Sequence, residues 1–444
     1  MFGTATSAAR NRLVALAAII LAASTACTPS SPEKPAAPAG VEPSGAVVLW
    51  HFFTDREAAA LDSVIADFKT KYPKVQVEVR SGQDDTKMLQ AIGAGQGPDV
   101  GLSYSTDAAG QLCNSGAWID LKQYAERDKV EIGKFPEAVR NYTQYKGKRC
   151  AMPFLADTYG LYYNKAFFAE AGVTAPPKTL AELSDLAKKL TKRRADGTIE
   201  RAGFLPLAGF YENSASHMYP MVGAAWLKAD GTSAIGSDPA WQELLRWQKE
   251  LVDWFGYDKL EKFRASLGDE WSADNAFHKG QVAMMIDGEF RIAFLRDQAK
   301  DVQFGTAPLP VNNPERYGIG YVTGNILGVS KTAKNPEAAW ALVRYLSTDT
   351  GAVVKLANLI KNVPTTTDAL ANPGDLANDA DFKAFIDMFK NPNSPHVPST
   401  AIGPAMEETM GEFMQKWQSG SAPDLNAGLK GVDENINKQL QLAG

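Results

Sequence analysis

From residue 46 onward the chain alternates short, nearly all-apolar runs with longer amphipathic stretches. Residues 46–53 (AVVLWHFF) form a β-rich run and predict a first strand. Thr54 and Glu57 then have the spacing of a capping box. Leu61, Val64, Ile65 and Phe68 follow at i, i+3, i+4 and i+7, the apolar face of a helix that stops at Tyr72-Pro73. VQVEV at 75–79 predicts a second strand, 86–94 a second helix, and 98–102 a third strand. Strand–helix–strand–helix–strand at these lengths predicts a parallel sheet with crossover helices. The glycines of GAGQG at 93–97 end a helix and are not followed by Lys-Ser/Thr, so they read as a helix stop and turn, not a phosphate loop.

The stretch 150–165, CAMPFLADTYGLYYNK, holds two apolar runs on either side of Ala156-Asp157-Thr158. Pro153 lacks an N–H, and Asp157 and Thr158 are bend formers. The pattern predicts a strand leaving one lobe, a bend, and a strand entering a second. Beyond it, Thr179 and Glu182 form another capping box before Leu180, Leu183, Leu186 and Leu190. Asp196-Gly197 marks a turn, and 204–210, 282–286, 302–309 and 321–329 read as strands. The strand at 302–309 (VQFGTAPL) is expected to carry the chain back to the first lobe. Residues 336–347 read as an amphipathic helix, and Leu-, Phe- and Met-rich helices fill the remainder.

The N-terminal residues have a different pattern. Arg10 and Arg12 precede an apolar run at 13–23, too short to span a bilayer, and small residues lead into Cys27. Ser24-Thr25-Ala26-Cys27 resembles a lipobox with Ser where Leu is usual; secretion with cleavage near Ala26 is the alternative. The expectation is a signal peptide over 1–26, lipidation at Cys27 and a Pro-rich tether over 27–45. Cys113 and Cys150 remain as an even pair in an exported chain, which predicts a disulfide; two buried thiols are the alternative.

Composition narrows the function. The chain has 444 residues, 45% hydrophobic and 22% charged, enough to bury a sizeable core. A net charge of -5 offers no basic field for nucleic acid. Of nine Trp, 14 Tyr and 20 Phe most belong to the core, and a minority suffices to line a site for a flat, polar, ring-shaped ligand. The four His (51, 217, 278, 396) have no metal-ligand spacing, and no nucleophile-elbow, zinc-protease or Walker motif is present. No metal and no cofactor is expected.

The order of segments resembles the bacterial extracellular solute-binding proteins of family 1, the maltose-binding-protein-like capture subunits of ABC importers. The matching stretches are WHFFTDREAAALDSVIADFKTKYPKVQVEV, GAGQGPDVGL, YGLYYNKAFFAEAGV with PPKTLAEL, FHKGQVAMMIDGEF, VQFGTAPLP, and NPEAAWALVRYLSTDTG before VPTTTDAL. One departure is Phe290, where the family usually has Trp. The resemblance implies an α/β, two-lobe periplasmic-binding-protein-like fold of type II, with a hinge and an interlobe ligand cleft. The expected lobes are 46–154 plus 306–350, and 157–304 plus 351–444. It also implies a monomer that binds a carbohydrate, is held to the outer membrane face by its lipid, and docks on permease subunits. A glycoside hydrolase is the main competitor, but no carboxylate pair stands out at the separation such chemistry needs. An adhesin is another.

Sugar recognition calls for aromatic faces and planar acceptors just past strand ends. On that rule and the resemblance, the candidates in the first half are His51, Phe52, Asp84, Tyr104 and Asp107, with Asp84 and Asp107 also suited to cap helices. Asp157 and Tyr159 are candidates for the cleft floor. In the second half the candidates are Tyr211, Trp226, Trp271, Glu289, Phe290, Gly324 and Asn325, with Glu289 and Phe290 as a carboxylate beside an aromatic platform.

Overall fold

The computed structural model describes residues 36–444. The expected signal segment and Cys27 lie outside the described residues. Nine strands form one sheet: β1 (Gly45–Trp50), β2 (Val75–Arg80), β3 (Val100–Ser103), β4 (Met152–Asn164), β5 (Lys192–Arg193), β6 (Ile199–Phe204), β7 (Val282–Gly288), β8 (Phe304–Ala307) and β9 (Tyr321–Val329). Their order is β2-β1-β3-β9-β4-β7-β6-β5, with β8 added to β4. β1 pairs with β2 and with β3 in parallel, as the strand–helix alternation requires. Helices Asp55–Lys71 and Asp85–Gly93 make the crossovers.

Two hydrophobic cores lie along this sheet. The first gathers Val47, Leu49, Leu61, Phe68, Val100 and Trp340. The second gathers Leu183, Phe204, Trp241, Leu244, Ile286 and Met410. The expected division placed all of 351–444 in the second lobe. Ala352 and Phe389 belong to the first core, and Val397 and Ile436 to the second.

β4 and β9 run through both halves, and this overturns two expectations. First, Asp157 and Thr158 make no bend. They sit inside one 13-residue strand. β4 pairs with β9 from Met152 to Tyr159 and with β7 from Tyr159 to Tyr163. Ladders on both sides hold the backbone extended, overriding the local turn tendency of Asp and Thr. The only irregularity is a register shift between Pro153 and Ala156, where Pro has no N–H to give. Second, β8 does not carry the chain back. It pairs antiparallel with Leu161 to Asn164, and β9 makes the return by pairing with both β4 and β3. A further segment meets β4 at its middle: Ala156 and Val363 exchange backbone hydrogen bonds of 2.9 and 3.0 Å.

Smaller corrections have local causes. The run 205–210 is a turn after β6, not a strand. The Thr179–Glu182 capping box forms with both reciprocal bonds, whereas the Thr54 side chain makes no cap bond. Part of the expected tether rests on the body: Ala36 N–H donates to Gln123 and Ala37 N–H to Glu337, at 3.1 and 2.6 Å. Cys113 and Cys150 form a disulfide, Cα to Cα 5.4 Å, tying helix Ala108–Asn114 to the residues that open β4. Among the described residues no helix is long and apolar enough to cross a membrane.

Candidate functional site

A cavity of about 710 Å³ opens between the two cores, over the crossing strands. The first core supplies one wall from the ends of β1 and β3: Phe52 to Glu57, then Tyr104, Ser105 and Asp107. The floor is Asp157 and Tyr159 of β4, Tyr321, Thr323 and Asn325 of β9, and Asn362 beside the Val363 bridge. The second core supplies Glu212, Ser214, Ser216 and His217 after β6, Trp271 from a loop, and Phe290 and Phe294 after β7, with Glu407 from helix Ala405–Gln418. Strand ends thus furnish most of the lining, the usual placement of sites in open α/β sheets.

Two aromatic platforms face this space. Trp271 is 48% exposed; its ring lies 5.7 Å from both Phe290 and Phe294, with the Arg291 guanidinium 5.0 Å from its centroid. Opposite, Tyr104 is 53% exposed and meets Phe52 edge-on at 5.7 Å. Tyr211 serves the first platform indirectly. Its hydroxyl donates to Gly268 O at 2.7 Å and accepts from Ala276 N–H at 3.0 Å, which pins the two ends of the loop that carries Trp271. Gly288 lets Phe290 fold back over β7, since a Cβ there would stand 2.3 Å from the Phe290 ring.

The lining is acidic. Asp55, Glu57, Asp107, Asp157, Glu212, Asp297 and Glu407 all border the cavity. The basic groups among the lining residues are Arg56 and His217. Arg56 is held by Glu57 at 3.6 Å and Asp297 at 3.4 Å. His217 Nδ1 lies 2.7 Å from Glu212 O and 3.2 Å from the Glu212 carboxylate, and burial lowers its pKa. Burial raises the pKa of Glu57, Asp107, Asp157 and Glu212, with neighbouring carboxylates adding to it for the last three.

Of the residues expected from the sequence, the structure brings Phe52, Tyr104, Asp107, Asp157, Tyr159, Trp271, Phe290 and Asn325 to the cavity. The others lie elsewhere for identifiable reasons. His51 is buried under the wall, with its pKa lowered by burial to about 4. Asp84 caps a helix by accepting from Lys87 N–H at 2.7 Å. Trp226 is core, 4.8 Å edge-on from Trp241. Gly324 has φ of +151°, and a Cβ would stand 2.3 Å from Leu155 O, so its role is the close approach of β9 to the β4 irregularity. Glu289 is wholly buried behind the floor. It accepts from Thr158 N–H at 2.6 Å, Asn362 Nδ2 at 3.2 Å and Val363 N–H at 3.3 Å. Tyr211 stands behind Trp271 as described.

Sequence reading missed Arg56, Glu57, His217, Tyr321, Asn362 and Glu407. Thr54 and Glu57 were assigned to a capping box; their failure to close one is what frees them for the cavity. Asn362 and Glu407 come from segments far along the chain, and nothing local to them signals a site.

Among the described residues one carboxylate trio, Glu212, Glu270 and Asp287, brings ligand atoms within 4.8 Å of one another. The buried Arg291 guanidinium pairs with two of the three, 2.6 Å from Asp287 and 3.3 Å from Glu270.

Two cores joined through the long strands β4 and β9, with an open cavity over them, define a two-lobe binding protein of the maltose-binding-protein kind. The family model described as bacterial extracellular solute-binding protein matches residues 63–384, and the chain belongs to that family. A maltotriose-binding protein of Pyrococcus abyssi is 25% identical over 409 residues, covering 90% of this chain and 83% of that one. Among solved structures, CpMnBP1 with mannotriose bound is 27% identical with a TM-score of 0.80, covering 88% of this chain and 99% of that one. The sugar-binding protein MalE of Xanthomonas citri shares the fold, at 21% identity and a TM-score of 0.70 over 90% of this chain and 98% of that one.

Proposed function

We propose that the chain captures a carbohydrate outside the cytoplasm and delivers it to the permease of an ABC importer. The observation that carries this is the pair of aromatic platforms, Trp271–Phe290 and Tyr104–Phe52, lining one cavity together with an acceptor-rich floor. Sugar rings offer C–H faces to aromatics and hydroxyl donors to carboxylates and amides. The maltotriose-binding relative and the mannotriose-bound neighbour support the same ligand class. Asp107, Asn325 and Glu407 are the acceptors we assign to ligand hydroxyls, and Trp271, Phe290 and Tyr104 the stacking surfaces.

Binding favours whichever lobe arrangement makes more contacts with the sugar, so closure about β4 and β9 follows from differential affinity. ATP is used elsewhere in the importer, and the chain itself catalyses nothing. Cys27 carries the lipid that holds the protein at the outer membrane face; Cys27→Ala is expected to release it into the soluble fraction.

A thermal-shift screen with neutral mono- to tetrasaccharides tests the ligand class, because a ligand that binds only the folded state raises the melting temperature. A rise with at least one sugar and no turnover is the expected result. Hydrolysis of the sugar would instead assign the cavity to a glycosidase.

A further inference from the structure

One corner of the cavity holds two carboxylates and no free cation. Asp107 follows β3 against the first core, and Glu407 lies on helix Ala405–Gln418 in the second. Asp107 is 7% exposed, borders the cavity, and its Oδ1 has no hydrogen-bond partner. Glu407 accepts from Ser216 Oγ at 2.7 Å. Its charge adds to burial in raising the proton affinity of Asp107. The cavity's guanidinium, Arg56, is engaged by Glu57 and Asp297, and His217 lies 3.2 Å from the Glu212 carboxylate. A buried carboxylate oxygen without a partner costs free energy that an incoming cation would recover.

The same corner is aromatic. The His217 ring stacks on Tyr159 at 3.9 Å, and Tyr321 lies 5.8 Å from Tyr159 and 5.1 Å from His217. Carboxylates and π faces around one space are the two features that hold an ammonium group. A phosphate or uronate would meet only like charge there.

We propose that Asp107 and Glu407 form a subsite for the protonated amine of an amino sugar. This rests on the carbohydrate reading and narrows it to sugars bearing a basic nitrogen. Isothermal titration with matched amino, neutral, N-acetylated and uronate sugars of the same ring stereochemistry, in the gluco and manno series, tests it. The amino member should bind about tenfold or more tightly than its neutral parent, N-acetylation should remove the gain, and the uronate should bind worst. Asp107→Asn and Glu407→Gln should each bring the amino-to-neutral affinity ratio toward one, with melting curves confirming that both variants fold. A neutral parent that binds as tightly as its amine, or a ratio unmoved by both substitutions, overturns the subsite and leaves the carbohydrate reading standing. Binding of no carbohydrate at all overturns both.

Discussion

The floor of the cavity and its walls are built from the same residue types and do different work. At the floor, Asp157 accepts from Asn325 at 3.3 Å and from Asn362, while Glu289 behind it binds Thr158 N–H, Asn362 and Val363 N–H. These carboxyls join β4, β9 and the 362–363 segment to one another. On the walls, Tyr104 and Trp271 present half-exposed rings and Asp107 keeps an oxygen unpartnered. The floor carboxyls Asp157 and Glu289 are satisfied by protein donors and hold the hinge; the Asp107 oxygen on the wall is not, and awaits a ligand. Changes to these floor carboxyls should therefore damage the fold, and changes to the walls should damage binding.

The largest effect is expected where the floor is anchored. The Cys113–Cys150 bridge closes a segment with a sequence separation of 37. Replacing both by Ser should lower stability by about 4 kcal/mol on the chain-entropy account, read by denaturant unfolding. Glu289→Ala comes next: it leaves two backbone N–H groups and an amide without their acceptor, at a cost of about 3 kcal/mol. A Glu289→Ala variant that melts like the parent but binds poorly would move Glu289 from hinge to ligand contact. Trp271→Ala, on the wall, should leave the melting temperature nearly unchanged and weaken sugar binding by about tenfold to a hundredfold in calorimetry.

A smaller effect is expected from pH. Burial pushes Asp85 up to about 7 and Glu270 up to about 8, with nearby carboxylates adding to both. Such acids bind protons more tightly folded than unfolded, where they titrate near about 4, so their contribution to stability is lost as pH rises through the folded values. Burial also lowers His51 and His278 to about 4, and their contribution is lost only as pH falls below the ordinary His value of about 6.5. Between pH 6.5 and 8 the acids alone act, and the melting temperature should fall as pH rises. A flat or rising curve would show that these carboxyls are better solvated than their burial implies.

How far the sequence reached differs along the same line. The walls were partly legible because strand ends can be read from periodicity: Phe52 and Tyr104 lie where β1 and β3 run out, and Phe290 where β7 does. The α/β class and the first three strands followed from the same signal. The floor was harder. Asp157-Thr158 reads as a bend, yet ladders to β9 and β7 keep it extended, a tertiary outcome with no local mark. Glu289 beside Phe290 looked like a ligand pair; which one faces the cavity depends on Asn362 and Val363, more than 70 residues away. Trp226 and Trp271 are alike as letters, and only packing separates a core ring from a wall ring.

Isothermal titration of parent and Trp271→Ala side by side with the best sugar from the screen tests the central claim most directly. Saturable one-to-one binding by the parent, weakened about tenfold or more in the variant with an unchanged melting temperature, is the predicted result. Equal affinity in both proteins would contradict the placement of the sugar in the cavity between the two cores.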